Sequence, residues 1–163
     1  MKNVNFRLVN FGSSRNIITI DGEQVRPVKD KNGRYDVRYS TEKDSVRVSI
    51  KTFLFLDGAL WWLASIIRFF ISVFGIFDTY ENHKCRAIIY EADVSVQDGV
   101  EYRVRFLNWK EGEKAIALDG AETEEEKNEC YTDRRALKRK KIMIGVKIAL
   151  GVVCAIVAGF LIF

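Results

Sequence analysis

The chain has 163 residues, 48% hydrophobic and 29% charged, with a net charge of +4. That balance excludes wholesale disorder and a protein made of many membrane spans, and the length suits one domain of roughly 100–150 residues with appendages. The charge is unevenly spread: ETEEEKNE at 122–129 is acidic, while RRALKRKK at 134–141 holds six Lys or Arg and no acid.

The N-terminus, MKNVNFRLVNFGSS, has no apolar stretch ahead of a small-residue cleavage site, so no signal peptide is expected. From there the pattern is period two with turn punctuation. VNFRLV (4–9) sets Val4, Phe6 and Leu8 against polar neighbours. NIITIDGEQV (16–25) carries Asp21-Gly22, a dipeptide suited to a type I′ hairpin turn. A turn at 31–34 leads into YDVRY (35–39), where Tyr35, Val37 and Tyr39 share a face, and SVRVSIKTF (45–53) alternates again.

The next segment, ALWWLASIIRFFISVFGIF (59–77), breaks this grammar: it is long and apolar, with Arg68 at its middle. On a helical wheel Ser65, Arg68, Ser72, Gly75 and Thr79 form one narrow polar stripe, and Trp62, Ile66, Phe69, Phe70, Val73, Phe74 and Phe77 fill the remainder. The pattern predicts an amphipathic helical insertion over 53–80 that lies in the membrane interface or re-enters the same leaflet. Trp61, Trp62, Arg68, Phe69, Phe70, Phe74 and Phe77 are its expected membrane-interface residues. A second membrane span and a helix packed on the β domain are the alternatives. A full crossing would separate the strands before the segment from those after it, and three strands alone bury too little surface to fold.

Strand grammar resumes after residue 84. RAIIYEADVSV (86–96) turns at Gln97-Asp98-Gly99, VEYRVRFL (100–107) returns, and KAIAL (114–118) follows Glu111-Gly112. About eight short antiparallel strands predict a mainly β chain: an antiparallel β-sandwich-like domain, or a related barrel, over 1–120. Residues 121–141 read as a charged linker. Thr123 and Glu126 make a capping-box signature, and NECYTD (128–133) places a helix break near Thr132.

IMIGVKIALGVVCAIVAGFLIF (142–163) is apolar except for Lys147, and its 22 residues make about 33 Å of helix, enough for a transmembrane anchor. The cations just before it, Arg134, Arg135, Lys138, Arg139, Lys140 and Lys141, are expected to hold the β domain on the cytoplasmic side and to face anionic lipid. The layout is single-pass and tail-anchored. Gly151, Ala155 and Gly159 form a small-residue ridge for helix association with a membrane-protein partner or a second copy of the chain. Ala155→Leu or Gly151→Ile should then abolish crosslinking between copies in membranes, and unchanged yield would remove the idea.

The chemistry-bearing residues are sparse. The lone histidine, His83, has no partners that suggest a metal or a catalytic base, and no phosphate-binding or nucleophile motif occurs. Cys85, Cys130 and Cys154 form no CxxC pair and read as reduced thiols in a cytosolic setting. Arg103 and Arg105 read as a solvated sheet face rather than a nucleic-acid platform. No cofactor and no nucleic-acid partner is expected. The sequence therefore predicts a non-catalytic membrane-tethered β module, an adaptor, scaffold or accessory subunit. The alternative is a membrane-surface enzyme or lipid-handling protein that reaches the bilayer through the insertion.

Overall fold

Alternation of apolar and polar side chains becomes alternation of covered and open faces. In β1 (Lys2–Val9) Val4, Phe6 and Leu8 are buried, and in β6 (Ser45–Thr52) Val46, Val48 and Ile50 are buried. The protein is seen here as a computed structural model that describes residues 1–11, 16–52, 54, 56, 58–71, 85–107 and 110–162. It divides into two units: Met1–Phe53 with Arg86–Tyr131, which is β, and Leu54–Cys85 with Thr132–Phe163, which is helical.

The β unit adds β2 (Asn16–Ile20), β3 (Glu23–Val25), β4 (Val28–Lys29), β5 (Tyr35–Thr41), β7 (Arg86–Ser95), β8 (Glu101–Phe106), β9 (Ile116–Asp119) and β10 (Thr123–Thr132). They form two five-stranded sheets, ordered β4-β5-β1-β8-β9 and β10-β7-β6-β2-β3. Inward side chains of both sheets make one core, with Tyr90, Tyr102, Ile20, Ile50 and Ile88 among its fully buried members. Burying each such aliphatic side chain contributes about 1.5–3 kcal/mol. The architecture is therefore the predicted sandwich.

Turn chemistry acts where short-range rules apply. Asp21 and Gly22 have φ of 51° and 84°, the paired left-handed conformation of a type I′ turn, and β2 and β3 meet across them. Three departures from expectation have physical causes. The first is that β1 and β8 pair in parallel, Asn5↔Glu101 through Val9↔Arg105. No hairpin joins these strands, so neither direction is imposed on them.

The second departure is that 123–132, read as linker, is the edge strand β10. Three of its charged residues, Glu125, Glu126 and Lys127, have partners of opposite charge. Arg47 bonds Glu126, Lys114 lies 2.9 Å from Glu125, and Lys127 lies 3.8 Å from Glu91. Glu91 also meets Lys51 at 2.7 Å. Cross-strand pairs of this kind support a strand that its own propensity does not. Asn128 completes the attachment: its Oδ1 accepts from the backbone N–H of Ala115 and Ile116, both at 3.0 Å, and its Nδ2 donates to the Ile116 carbonyl at 2.7 Å.

The third departure is a consequence of the second. The Thr123–Glu126 capping box is unused, and helix α2 (Arg134–Ile162) begins after Asp133. Asp133 is the N-cap: its Oδ1 accepts from the N–H of Arg135 (2.8 Å) and Ala136 (2.9 Å). The break expected near Thr132 is therefore present, but it separates a strand from a helix.

The pairing that matters most for function is β6 with β7, antiparallel from Ser45↔Ser95 to Lys51↔Ile89. The chain leaves the sheet after Thr52 and re-enters it beside the same strand at Arg86. Strands from before and after the apolar insertion thus share both sheets. A single crossing that parts them is incompatible with this fold.

Candidate functional site

The helical unit concentrates the exposed apolar surface. Within the insertion, α1 (Trp61–Ile71) is 11 residues long, about 16 Å. Trp62, Leu63, Ile67, Phe70 and Ile71 are all exposed, Ile71 by 77%. Exposed apolar side chains this close together mark a surface that meets something other than water.

Of the polar stripe, only Ser65 lies among the residues whose side chains are described. Ser65 is fully buried, and its hydroxyl donates to the Trp61 carbonyl at 2.6 Å, the usual way a serine is satisfied inside a helix. A hydroxyl satisfied by its own helix needs no solvent. Arg68 and Phe69 lie on α1, but their side chains are outside the described residues, as are Phe74, Phe77 and His83.

Helix α2 has a covered side and an open side. Ala136 and Met143 are buried and Arg139 and Lys140 are half-buried, the i, i+3, i+4, i+7 spacing of one face. Arg134, Lys138 and Lys141 are exposed on the other. Of its most apolar 18-residue window, 6% is buried, and by length and composition α2 is able to cross a membrane. A core helix of a soluble protein would be mostly buried.

Arg139 joins the two helices. Its Nη1 donates to the Leu56 carbonyl, at the approach to α1, and its guanidinium lies 5.3 Å from the centre of the Trp61 ring. A cation over an indole contributes about 0.5–2 kcal/mol, depending on its desolvation. The six cations grouped by sequence are thus not equivalent, since Arg139 is a fastener between helices. Nothing in the linear order distinguished it. Trp61, likewise grouped with Trp62, is half-buried beneath it.

The ridge of Gly151, Ala155 and Gly159 lies on α2. A Cβ built on Gly151 or Gly159 meets nothing within 4 Å, so each faces open space.

The β unit offers a different kind of surface. Two open grooves, about 490 and 520 Å³, lie on sheet β4-β5-β1-β8-β9. Arg7, Arg34, Tyr35 and Arg103 line the first; Asn5, Arg38, Tyr39 and Glu101 line the second. Arg7 is held by Asp36 (3.2 Å) and Glu101 (2.8 Å), and Arg105 by Asp119 (2.7 Å). Arg103 and Arg105 point away from the core while Tyr102 and Phe106 point into it, the solvated face expected of them. Among the described residues, no three His, Cys, Asp or Glu side chains come together at a point where a metal ion could be held. Cys85 and Cys130 are buried and not joined in a disulfide, and burial pushes the Cys130 thiol up, which suppresses its reactivity.

Comparison with protein-family models, with curated proteins and with solved structures finds no match to this chain.

Proposed function

We propose that the protein is a non-catalytic β module tethered to a membrane, serving as an adaptor, scaffold or accessory subunit of a membrane complex. One observation carries this reading: two helices, fastened together by Arg139, expose apolar faces that the rest of the described protein leaves uncovered. In this reading α2 spans the bilayer from about Ile142 onward. The cations before it keep the β unit on the cytoplasmic side.

The insertion then cannot cross and return. Residues 53–85 begin and end beside each other on the sheet, and two helical spans need about 40 residues. Crossing back as extended chain would leave backbone groups unbonded in lipid. An in-plane or re-entrant helix remains, with Trp62, Phe70 and Ile71 toward the acyl chains and Ser65 toward protein.

The test uses the full chain in lipid vesicles, with Trp61 and Trp109 replaced by phenylalanine so that Trp62 is the single emitter. Lipids brominated near the glycerol end of the acyl chain should quench Trp62, and the protein should resist extraction by alkaline carbonate. Absent quenching at every bromine depth would refute the immersion of α1. Release by carbonate would refute the tether.

A further inference from the structure

The open side of α2 carries a stripe of three exposed cations. Arg134, Lys138 and Lys141 stand at i, i+4 and i+7 and are all exposed. None has an ion-pair or hydrogen-bond partner among the described residues, whereas Lys2, Lys43, Arg47, Lys51, Arg105 and Lys114 of the β unit all have acids. No Asp or Glu occurs from Arg134 to Phe163.

Two effects make the bare stripe unfavourable. Like charges at i, i+4 repel along a helix. The stripe also occupies the first two turns of α2, where the helix dipole is already positive and disfavours cations. A mobile counter-ion would relieve this diffusely. An anion fixed at one height would relieve it at each position, and the apolar run that starts at Ile142 sets that height. Arg134 stands about 10 Å above Lys141 along the helix, comparable to the 5–8 Å thickness of one headgroup layer.

We propose that Arg134, Lys138 and Lys141 form a binding stripe for anionic glycerophospholipid headgroups of the leaflet that α2 enters. This rests on the membrane reading given above and deepens it. Arg139 is not part of the stripe: it lies half-buried on the other side of the helix, with its guanidinium engaged by Leu56 and Trp61. Each cation near a lipid surface raises association roughly fivefold.

The test is lipid selectivity of the full chain in phosphatidylcholine vesicles, read by electron spin resonance with spin-labelled phosphatidylglycerol against spin-labelled phosphatidylcholine. The wild type should prefer the anionic lipid severalfold at low salt and lose that preference in 1 M salt, where charge is screened within about 3 Å. R134Q/K138Q/K141Q should bring the ratio to about one, while R139Q leaves it near wild type. An unchanged ratio in the triple variant, or a ratio of one in the wild type, overturns the proposal and leaves the tether standing. Loss of selectivity in R139Q alone overturns the division of roles. Carbonate extraction of the wild type overturns the tether, and this proposal with it.

Discussion

Tyr90 and Tyr102 show how much a single atom matters in this core. Both rings are buried, but the Tyr102 hydroxyl accepts the Gln97 N–H at 2.8 Å, while the Tyr90 hydroxyl has no partner among the described residues. Burial, with a contribution from the charge of Glu125, pushes the Tyr90 phenol up to about 12. Removing an unsatisfied buried hydroxyl while keeping the ring should help, so Tyr90→Phe is expected to stabilise the β unit by about 1 kcal/mol. The denaturant midpoint of the full chain in detergent checks this, and a lower midpoint would contradict it. The sign with pH follows from the raised value. The neutral phenol's contribution is complete below about pH 10, the unfolded value, and is lost as pH rises toward 12. The variant should therefore show a flatter decline between pH 10 and 12. That Tyr90 points inward is legible in the alternation of RAIIYEADVSV; that its hydroxyl lacks a partner depends on what the opposite sheet places above it, which no local pattern encodes.

Among the elements, β10 is the least legible from sequence and the most dependent on distant residues. TEEEKNECYT has little strand propensity and almost no apolar alternation, with only Cys130 buried. Its charge partner Arg47 comes from a strand much earlier in the chain. By contrast, the β2–β3 hairpin is legible because its cause, two consecutive residues that accept positive φ, lies within the turn itself. Asn128 should be the critical residue of β10. Asn128→Ala leaves two N–H groups and one carbonyl without partners, at an expected cost of about 2–3 kcal/mol. Amide hydrogen exchange at Ala115 and Ile116 should accelerate in parallel; unchanged protection there would show that water replaces the side chain at no cost. The exposed acids of this edge strand also discourage pairing with another sheet.

Across the whole molecule, ion pairs tie together strands that lie far apart in sequence, and this shapes the acid limb of stability. Hydrogen bonds from Lys2 and Lys51 hold Asp44 and Glu91 below the ordinary carboxylate range. At Asp21 burial acts upward, but bonds from Lys43 and the Arg47 N–H outweigh it, and the net shift is downward. Depressed folded values mean stability that is present above about pH 4 and lost as pH falls through the folded pKa of each group. Denaturant midpoints of the full chain measured from pH 6 to pH 3 should fall most steeply below pH 4, and less steeply in Lys51→Met. A flat profile would show that these pairs contribute nothing. At this scale the sandwich and the long apolar helix were legible from period and length. The inward turn of Ser65 and the fastening by Arg139 were not, because each depends on which helix comes to lie alongside which.

The return of the chain to β7 beside β6 has one more implication. Residues 53–85 amount to a hairpin loop grown long. Loop closure rises only with the logarithm of length, so hosting such a segment costs about 2 kcal/mol more than a four-residue turn. The β unit can therefore carry an apolar appendage, or trade it for a tight turn, with its sheet register unaltered. If the insertion meets the membrane as proposed, address and architecture are encoded separately in this chain, and either could be changed without rewriting the other.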